Sequence, residues 1–221
     1  MYVLGVDIGT SSSKGMLVGL DGTVQRSAVR EHTVDRPAPG RLEMDARVWW
    51  QEFAGLARQL CRDAEVGAVG VSGMGPCVLL ADAGDEPVRP AILYGVDTRS
   101  TRQIGRLERE LGAAEIRRRC GSDLSSQAAG PKIAWVAEEE PERYAKARRL
   151  YMPSSWLVRK LTGAYLLDHH SASQCTPLYD VGTTSPACRR RSGPPPSDGL
   201  YRQLYPSTVR LVHDLADRRH R

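Results

Sequence analysis

The chain has 221 residues, 41% of them hydrophobic and 26% charged, and a formal net charge of +5. That length suffices for one large domain or two small ones that stand without disulfides. No run approaches the ~20 consecutive apolar residues of a membrane-spanning helix, and no basic-then-apolar leader opens the chain, so a soluble protein without a secretory signal is expected. The five cysteines (Cys61, Cys77, Cys120, Cys175 and Cys188) are odd in number and form no CxxC pair. They read as reduced thiols of a cytoplasmic protein, not as a disulfide frame or a zinc site. The positive charge is local. Residues 186–221 carry eight arginines and three aspartates, a net of +5 that leaves residues 1–185 neutral. A basic tail with no interleaved aromatic pattern beyond Tyr201 and Tyr205 argues against a nucleic-acid partner.

The first residues, 1–9, read as a strand, followed by a second apolar run at 15–20. Asp21-Gly22 is a hairpin turn signal, and 23–30 alternates as a third strand. A Pro/Gly-rich loop at 36–40 comes next. Asp45 is placed to cap a helix over 46–63, where Trp49, Phe53, Leu56 and Leu60 form one stripe at helical spacing. The continuous run VGAVGVS at 66–72 predicts a fully buried strand. Shorter strands follow at 77–81 and 91–94. From Thr98 the period is helical, with Ile104, Leu107 and Leu111 on one face. Helices with proline near their starts are expected at 131–137 and 141–149. A strand is expected at 150–152, and a helix capped by Ser154-Ser155 ends at Thr162-Gly163. Beyond residue 185 periodicity is lost, with only 204–215 able to form a little amphipathic structure. The order predicts an α/β protein of the ribonuclease-H-like (actin-like ATPase) fold. Its mixed sheet would start with three antiparallel strands and be flanked by helices.

Chemistry concentrates in VDIGTSSSKG, residues 6–15. Successive N–H groups and hydroxyls between two strands can form an anion-binding concavity. Gly9 admits a phosphate to the backbone, Thr10, Ser11, Ser12 and Ser13 offer hydroxyls, and Lys14 supplies charge. Asp7 would repel a phosphate unless a hard cation such as Mg²⁺ sits between them. The alternative is a solvated polar hairpin. The Walker pattern GxxxxGK[ST] is absent. Gly73-x-Gly75 is a partial dinucleotide fingerprint, but a Rossmann reading requires a helix after it, where the sequence reads as strand. Asp97, ahead of Arg99, is either a ligand for hydroxyl groups or a helix cap. His169-His170 beside Asp168 has poor metal-ligand spacing, and Glu138-Glu139-Glu140 reads as a solvated face.

In order, VDIGTSSSKG, GRLEMDARVWW, VGVSGMG, RPAILYGVDTRS, PKIAWVAEEEPE, MPSSWLVRKLTG and LDHHSASQCTPLYDV resemble the N-terminal domain of the FGGY carbohydrate kinases, in their xylulokinase-like branch. The resemblance covers about residues 1–182. It implies ATP and Mg²⁺ as cofactors and a sugar or polyol as the acceptor, and it leaves a homodimer open. By it, Gly9, Thr10, Ser11, Ser12 and Lys14 would bind the phosphates, Asp7 the metal, and Met74, Gly75, Asp97 and Arg99 would line the acceptor pocket. The Gln-Met-His of typical xylulokinases is replaced by Met74-Gly75-Pro76, so the resemblance does not assign xylulose. The family's catalytic aspartate lies near the start of a second half. None of Asp198, Asp214 or Asp217 stands in a comparable context. The expected division is a kinase N-terminal domain at 1–185 and an Arg/Pro-rich tail at 186–221. With 27 arginines against 4 lysines, a truncated or frame-shifted product of GC-rich coding is the expectation for the tail.

Overall fold

The computed structural model describes residues 1–186 and the strand at 210–212. The chain begins with β1 (Tyr2–Ile8), β2 (Ser12–Gly19) and β3 (Val24–Glu31). All three pair antiparallel, with Asp7 opposite Lys14 and Ser13 opposite Arg30. The Asp21-Gly22 turn forms as expected. Gly22 takes φ +86°, and the Thr23 amide donates to Asp21 Oδ1 at 3.0 Å. The predicted Pro/Gly loop is instead a second hairpin, β4 (Asp35–Ala38) and β5 (Arg41–Met44), turning at Gly40 with φ +70°. Prolines are tolerated there because β4 is an edge strand.

Helix α1 (Ala46–Leu60) is capped by Asp45, which accepts from the Arg47 amide at 2.9 Å. Its stripe of Trp49, Phe53, Leu56 and Leu60 is buried. The stripe rests on the inward positions of β1 and β2, including Leu4, Val6, Ile8 and Leu17. Gly15 sits under the helix. A Cβ there would lie 2.7 Å from Leu60 Cδ1 and 3.3 Å from Leu56 Cβ, so the missing side chain sets how closely α1 approaches the sheet.

Strand β6 (Val66–Gly73) joins β1 in parallel, giving the order β3-β2-β1-β6. The expectation of a fully buried strand is corrected here: most of β6 is exposed, with Val69 at 46%. A continuous apolar run signals cover on both faces, and no described strand pairs with its outer edge. Next come β7 (Leu79–Ala81) and β8 (Ala91–Ile92), the latter completing a β4-β5-β8 sheet. A strand after Gly75, where a Rossmann unit needs a helix, removes the dinucleotide reading.

The remaining helices are α2 (Thr101–Leu111), α3 (Ala113–Cys120), α4 (Ala129–Glu139) and α5 (Pro141–Lys146). They are followed by β9 (Arg149–Tyr151), α6 (Pro153–Thr162), β10 (Leu166–Asp168), α7 (His169–Ser173), β11 (Tyr179–Asp180) and β12 (Ser185–Pro186). Pro141 stands at the first position of α5 and Gly163 ends α6 in the left-handed conformation, both as expected. The α6 cap is corrected: Met152 is the N-cap, and the Ser155 hydroxyl accepts from its amide at 2.9 Å. Two further cores form, one around Val78, Ile133, Val136 and Met152, the other around Leu107, Ile116 and Leu124. Within the predicted tail, β13 (Arg210–Val212) pairs in parallel with β10. The rest of that expectation lies outside the described residues.

Candidate phosphate hairpin and acceptor loops

The turn between β1 and β2 is closed by the Gly9 amide donating to the Ser12 carbonyl at 2.9 Å. A Cβ on Gly9 would meet that carbonyl oxygen at 2.7 Å, so the turn admits only glycine without rearrangement. The four hydroxyls do not point one way. Ser12, Ser13 and Lys14 belong to β2 and alternate across the sheet. Ser13 is fully buried and donates to Glu52 Oε2 at 2.5 Å, which corrects its reading as a phosphate donor. Thr10 Oγ1 lies 2.9 Å from the Tyr94 hydroxyl, and Ser11 is exposed at the tip.

On the sheet face away from α1, Asp7 and Lys14 stand side by side and exposed. Ser72 on β6, opposite Asp7 in register, donates to Asp7 Oδ1 at 2.6 Å. Ser72 was not singled out in the sequence, because its place beside Asp7 depends on the parallel pairing of β1 with β6.

Behind the turn lies a second group that sequence reading missed. His32 sits between Glu52 (Nδ1 to Oε2, 2.9 Å) and the Gly9 carbonyl (Nε2 to O, 3.1 Å). His32 and Glu52 are 6% and 12% exposed. The chain Ser13–Glu52–His32–Gly9 therefore fixes the turn from the core side. Glu52 is on α1 and His32 follows β3, so no local spacing announces the arrangement.

The loops at Met74–Gly75 and Asp97–Arg99 come to the same end of the sheet. The Met74 amide donates to the Ile8 carbonyl at 2.7 Å, and the Asp97 amide closes a turn on the Tyr94 carbonyl at 2.9 Å. Met74 and Gly75 are half-buried. Asp97 caps no helix; the N-cap of α2 is Ser100. The Asp97 carboxylate is fully buried and accepts from the Leu42 amide at 2.7 Å and from Arg99 NH2 at 2.7 Å. Arg99 NH1 continues to Glu43 at 2.6 Å, Glu43 accepts from Arg89 at 2.5 Å, and Arg89 Nε donates to Glu140 at 2.8 Å. The Arg99 guanidinium also lies over the Trp135 ring at 4.8 Å. Asp97 and Arg99 thus hold the loop, with their hydrogen-bonding groups turned to each other. Glu140 is likewise part of a network, not a solvated face.

Lys132, on α4, braces the same loop. Its buried ammonium donates to the Ser126 carbonyl, and the Ser126 hydroxyl donates to the Gly95 carbonyl at 2.9 Å. Burial drives the Lys132 ammonium down to about 8, with Asp97 and Cys77 pulling the other way. Burial pushes the Cys77 thiol up to about 12, so it is inert packing at neutral pH. The paired histidines diverge, His169 to the Tyr179 hydroxyl and His170 to Gln174. No group of three metal-ligating side chains occurs among the described residues. A lone carboxylate at Asp7 still suits Mg²⁺, which is held by one or two carboxylates together with phosphates and water.

A mixed sheet that begins with an antiparallel meander, turns at a glycine under hydroxyl and basic residues, and continues in parallel defines an actin-like α/β domain. The family model described as "FGGY family of carbohydrate kinases, N-terminal domain" matches residues 2–185. The chain belongs to that family. It is 39% identical over 175 residues to a xylulose kinase of Streptomyces rubiginosus, covering 77% of this chain and 36% of the relative. It is 33% identical over 192 residues to a glycerol kinase of Nocardia farcinica, covering 82% and 38%. The crystal structure of xylulose kinase from Rhodospirillum rubrum superposes with a TM-score of 0.80 at 27% identity, covering 84% of this chain and 39% of that one. The chain thus spans little more than a third of the length of these relatives. No described helix is long and apolar enough to cross a membrane.

Proposed function

We propose that this chain carries the phosphate-binding and acceptor-binding half of an ATP-dependent phosphoryl transfer to a sugar or polyol hydroxyl. The observation that carries the reading is the juxtaposition of the glycine-only turn with Asp7, Lys14 and Ser72 on one open face. The Thr10, Ser11 and Ser12 segment supplies N–H and hydroxyl donors to phosphate oxygens, Gly9 leaves room for their approach, and Lys14 offsets their charge. Asp7 would hold Mg²⁺, oriented by the Ser72 hydroxyl; bound there, the ion would offset charge on the phosphates. Met74, Gly75 and the backbone of the Tyr94 turn form the acceptor wall, with Asp97 and Arg99 as positioning residues behind it.

Neither carboxylate of these loops is placed to take a proton from an acceptor hydroxyl. Asp97 is buried and fully bonded, and Asp7 lies on the phosphate side. A general base contributes typically 10²–10⁴-fold, so the chain alone is expected to bind and not to turn over. A coupled ADP-release assay with xylulose and with glycerol, run beside calorimetry with MgATP, tests this. Binding without release supports the reading, whereas sustained release by the isolated chain refutes the binding-only assignment. Absence of any nucleotide binding refutes the phosphate site.

A further inference from the structure

We infer that a second anion site, separate from the phosphate hairpin, lies between β3 and α1 and takes a small molecule carrying two or more phosphate charges. A cavity of about 630 Å³ opens there, lined by Arg26, Arg30, Arg58, Arg62, Gly55 and Asp63 among others. The size falls in the usual range of small-ligand sites, roughly 300–1,000 Å³. Four guanidinium groups against one carboxylate leave a local charge of +3, matched to a polyphosphate.

The arrangement follows from register. The positions of β1 and β2 that face α1 hold Leu4, Val6, Ile8, Ser13 and Leu17, all buried. On the edge strand β3 the corresponding positions are Arg26, opposite Leu17, and Arg30, opposite Ser13. Arginine thus takes the places where the two inner strands put mostly apolar residues. Arg58, in the last turn of α1, and Arg62, in the turn that follows the helix, close the other side.

Two of the four are fixed in advance. Arg26 NH1 donates to the carbonyls of Leu60 at 2.9 Å and Arg62 at 2.6 Å, which satisfies the exposed carbonyl end of the helix. Arg30 lies across Gly55, where a Cβ would meet Nε at 2.9 Å. Gly55 stands in the interior of α1, a position that disfavours glycine, and its bare backbone gives the guanidinium its bed. Many arginines elsewhere are matched to acids, among them Arg89, Arg99, Arg102, Arg117 and Arg149, although Arg36, Arg41, Arg109 and Arg148 form no ion pair among the described residues. None of the four cavity arginines forms an ion pair among the described residues. Multidentate N–H donors in a fixed fork suit phosphate oxygens.

The test is calorimetric titration of the full chain with pyrophosphate and with inorganic phosphate, without divalent metal, at two salt concentrations. Pyrophosphate should bind more tightly than phosphate and weaken with salt. The Arg58→Gln/Arg62→Gln variant changes exposed side chains and should fold normally by circular dichroism. It should lose affinity at least roughly tenfold, as expected for removing charged hydrogen bonds. Amide shifts at residues 7–14 on addition of MgADP should be the same in Arg58→Gln/Arg62→Gln as in the parent, which keeps this outcome distinct from that of the phosphate hairpin. Gly55→Ala should weaken binding by displacing Arg30 while leaving the helix intact. The inference is overturned if pyrophosphate does not bind, if the double arginine variant binds as well as the parent, or if Lys14→Gln alone abolishes binding. It is overturned also if a single-stranded oligonucleotide binds the cavity and pyrophosphate cannot displace it.

Discussion

Replacing Asp97 by Asn separates a positioning role from a ligand role. The carboxylate is 0% exposed. It accepts from the Leu42 amide at 2.7 Å, the Arg99 amide at 3.1 Å, Arg99 Nε at 2.9 Å and Arg99 NH2 at 2.7 Å. The Arg99 side chain is 1% exposed and its remaining carboxylate partner, Glu43, is shared with Arg89. Asparagine keeps one acceptor oxygen but removes the charge that offsets a buried guanidinium. Breaking a buried pair from one side costs about 3–5 kcal/mol, a large part of the ~5–15 kcal/mol that holds a domain together. For a domain of this size each kcal/mol moves Tm by roughly 2–4 °C, so a fall of roughly 6–20 °C is expected. Urea unfolding followed by tryptophan fluorescence should show a lower midpoint with an unchanged slope. The double variant Asp97→Asn/Arg99→Met should cost less than the two single changes summed, because both act on one pair. A loss below about 1 kcal/mol in Asp97→Asn, in the range of an exposed pair, would sink the positioning argument and return Asp97 to the list of acceptor ligands.

Other consequences follow from the same geometry. His32→Ala frees the Gly9 carbonyl and leaves Glu52 with Ser13 as its partner; amide exchange at residues 9–12 should speed up, and MgADP affinity should fall about tenfold, the size of one lost charge-assisted hydrogen bond. Unchanged exchange there would contradict the bracing role. Lys132 titrates at about 8 when folded against 10.5 as a free side chain. As pH rises past 8 the folded lysine sheds its proton while the unfolded one keeps it, so stability rises with pH. Burial gives Cys77 the opposite trend, from 9.0 unfolded to about 12 folded, so it works against the rise above pH 9. Between pH 8 and 9 the gain should be about 1 kcal/mol, read as a rise in urea midpoint that Lys132→Met abolishes. Gly15→Val should cost about 1–3 kcal/mol by pushing Leu60 and Leu56 off the sheet, measured by thermal unfolding.

The parts legible in the sequence were those whose cause is local. Asp21-Gly22 marks its turn through the positive φ at glycine, Asp45 caps α1 through an oxygen two residues from its donor, and Gly163 ends α6 in the left-handed region. The stripe of Trp49, Phe53, Leu56 and Leu60 announced both α1 and the face it buries. What failed was non-local. The 36–40 segment pairs because β5 is held in turn by β8, which no property of RPAPG reveals. The run at 66–72 carries the apolar signature of a buried strand, yet burial depends on what covers it, and most of its surface is open among the described residues. In the site, VDIGTSSSKG displayed its hydroxyls without displaying their directions. Alternation in β2 turns Ser13 to Glu52 and leaves Lys14 beside Asp7. Asp97 and Arg99 were visible as a charged pair at a strand end, but their mutual satisfaction depends on Glu43, more than fifty residues upstream.

Nucleotide phosphates are expected to bind at the β1–β2 hairpin. An NMR titration of the isotopically labelled chain with MgADP tests this most directly. Amide shifts are expected to concentrate at residues 7–14 and at Ser72, and to be lost in Lys14→Gln and Asp7→Asn. Shifts confined to other surfaces, or equal shifts in those variants, would contradict it.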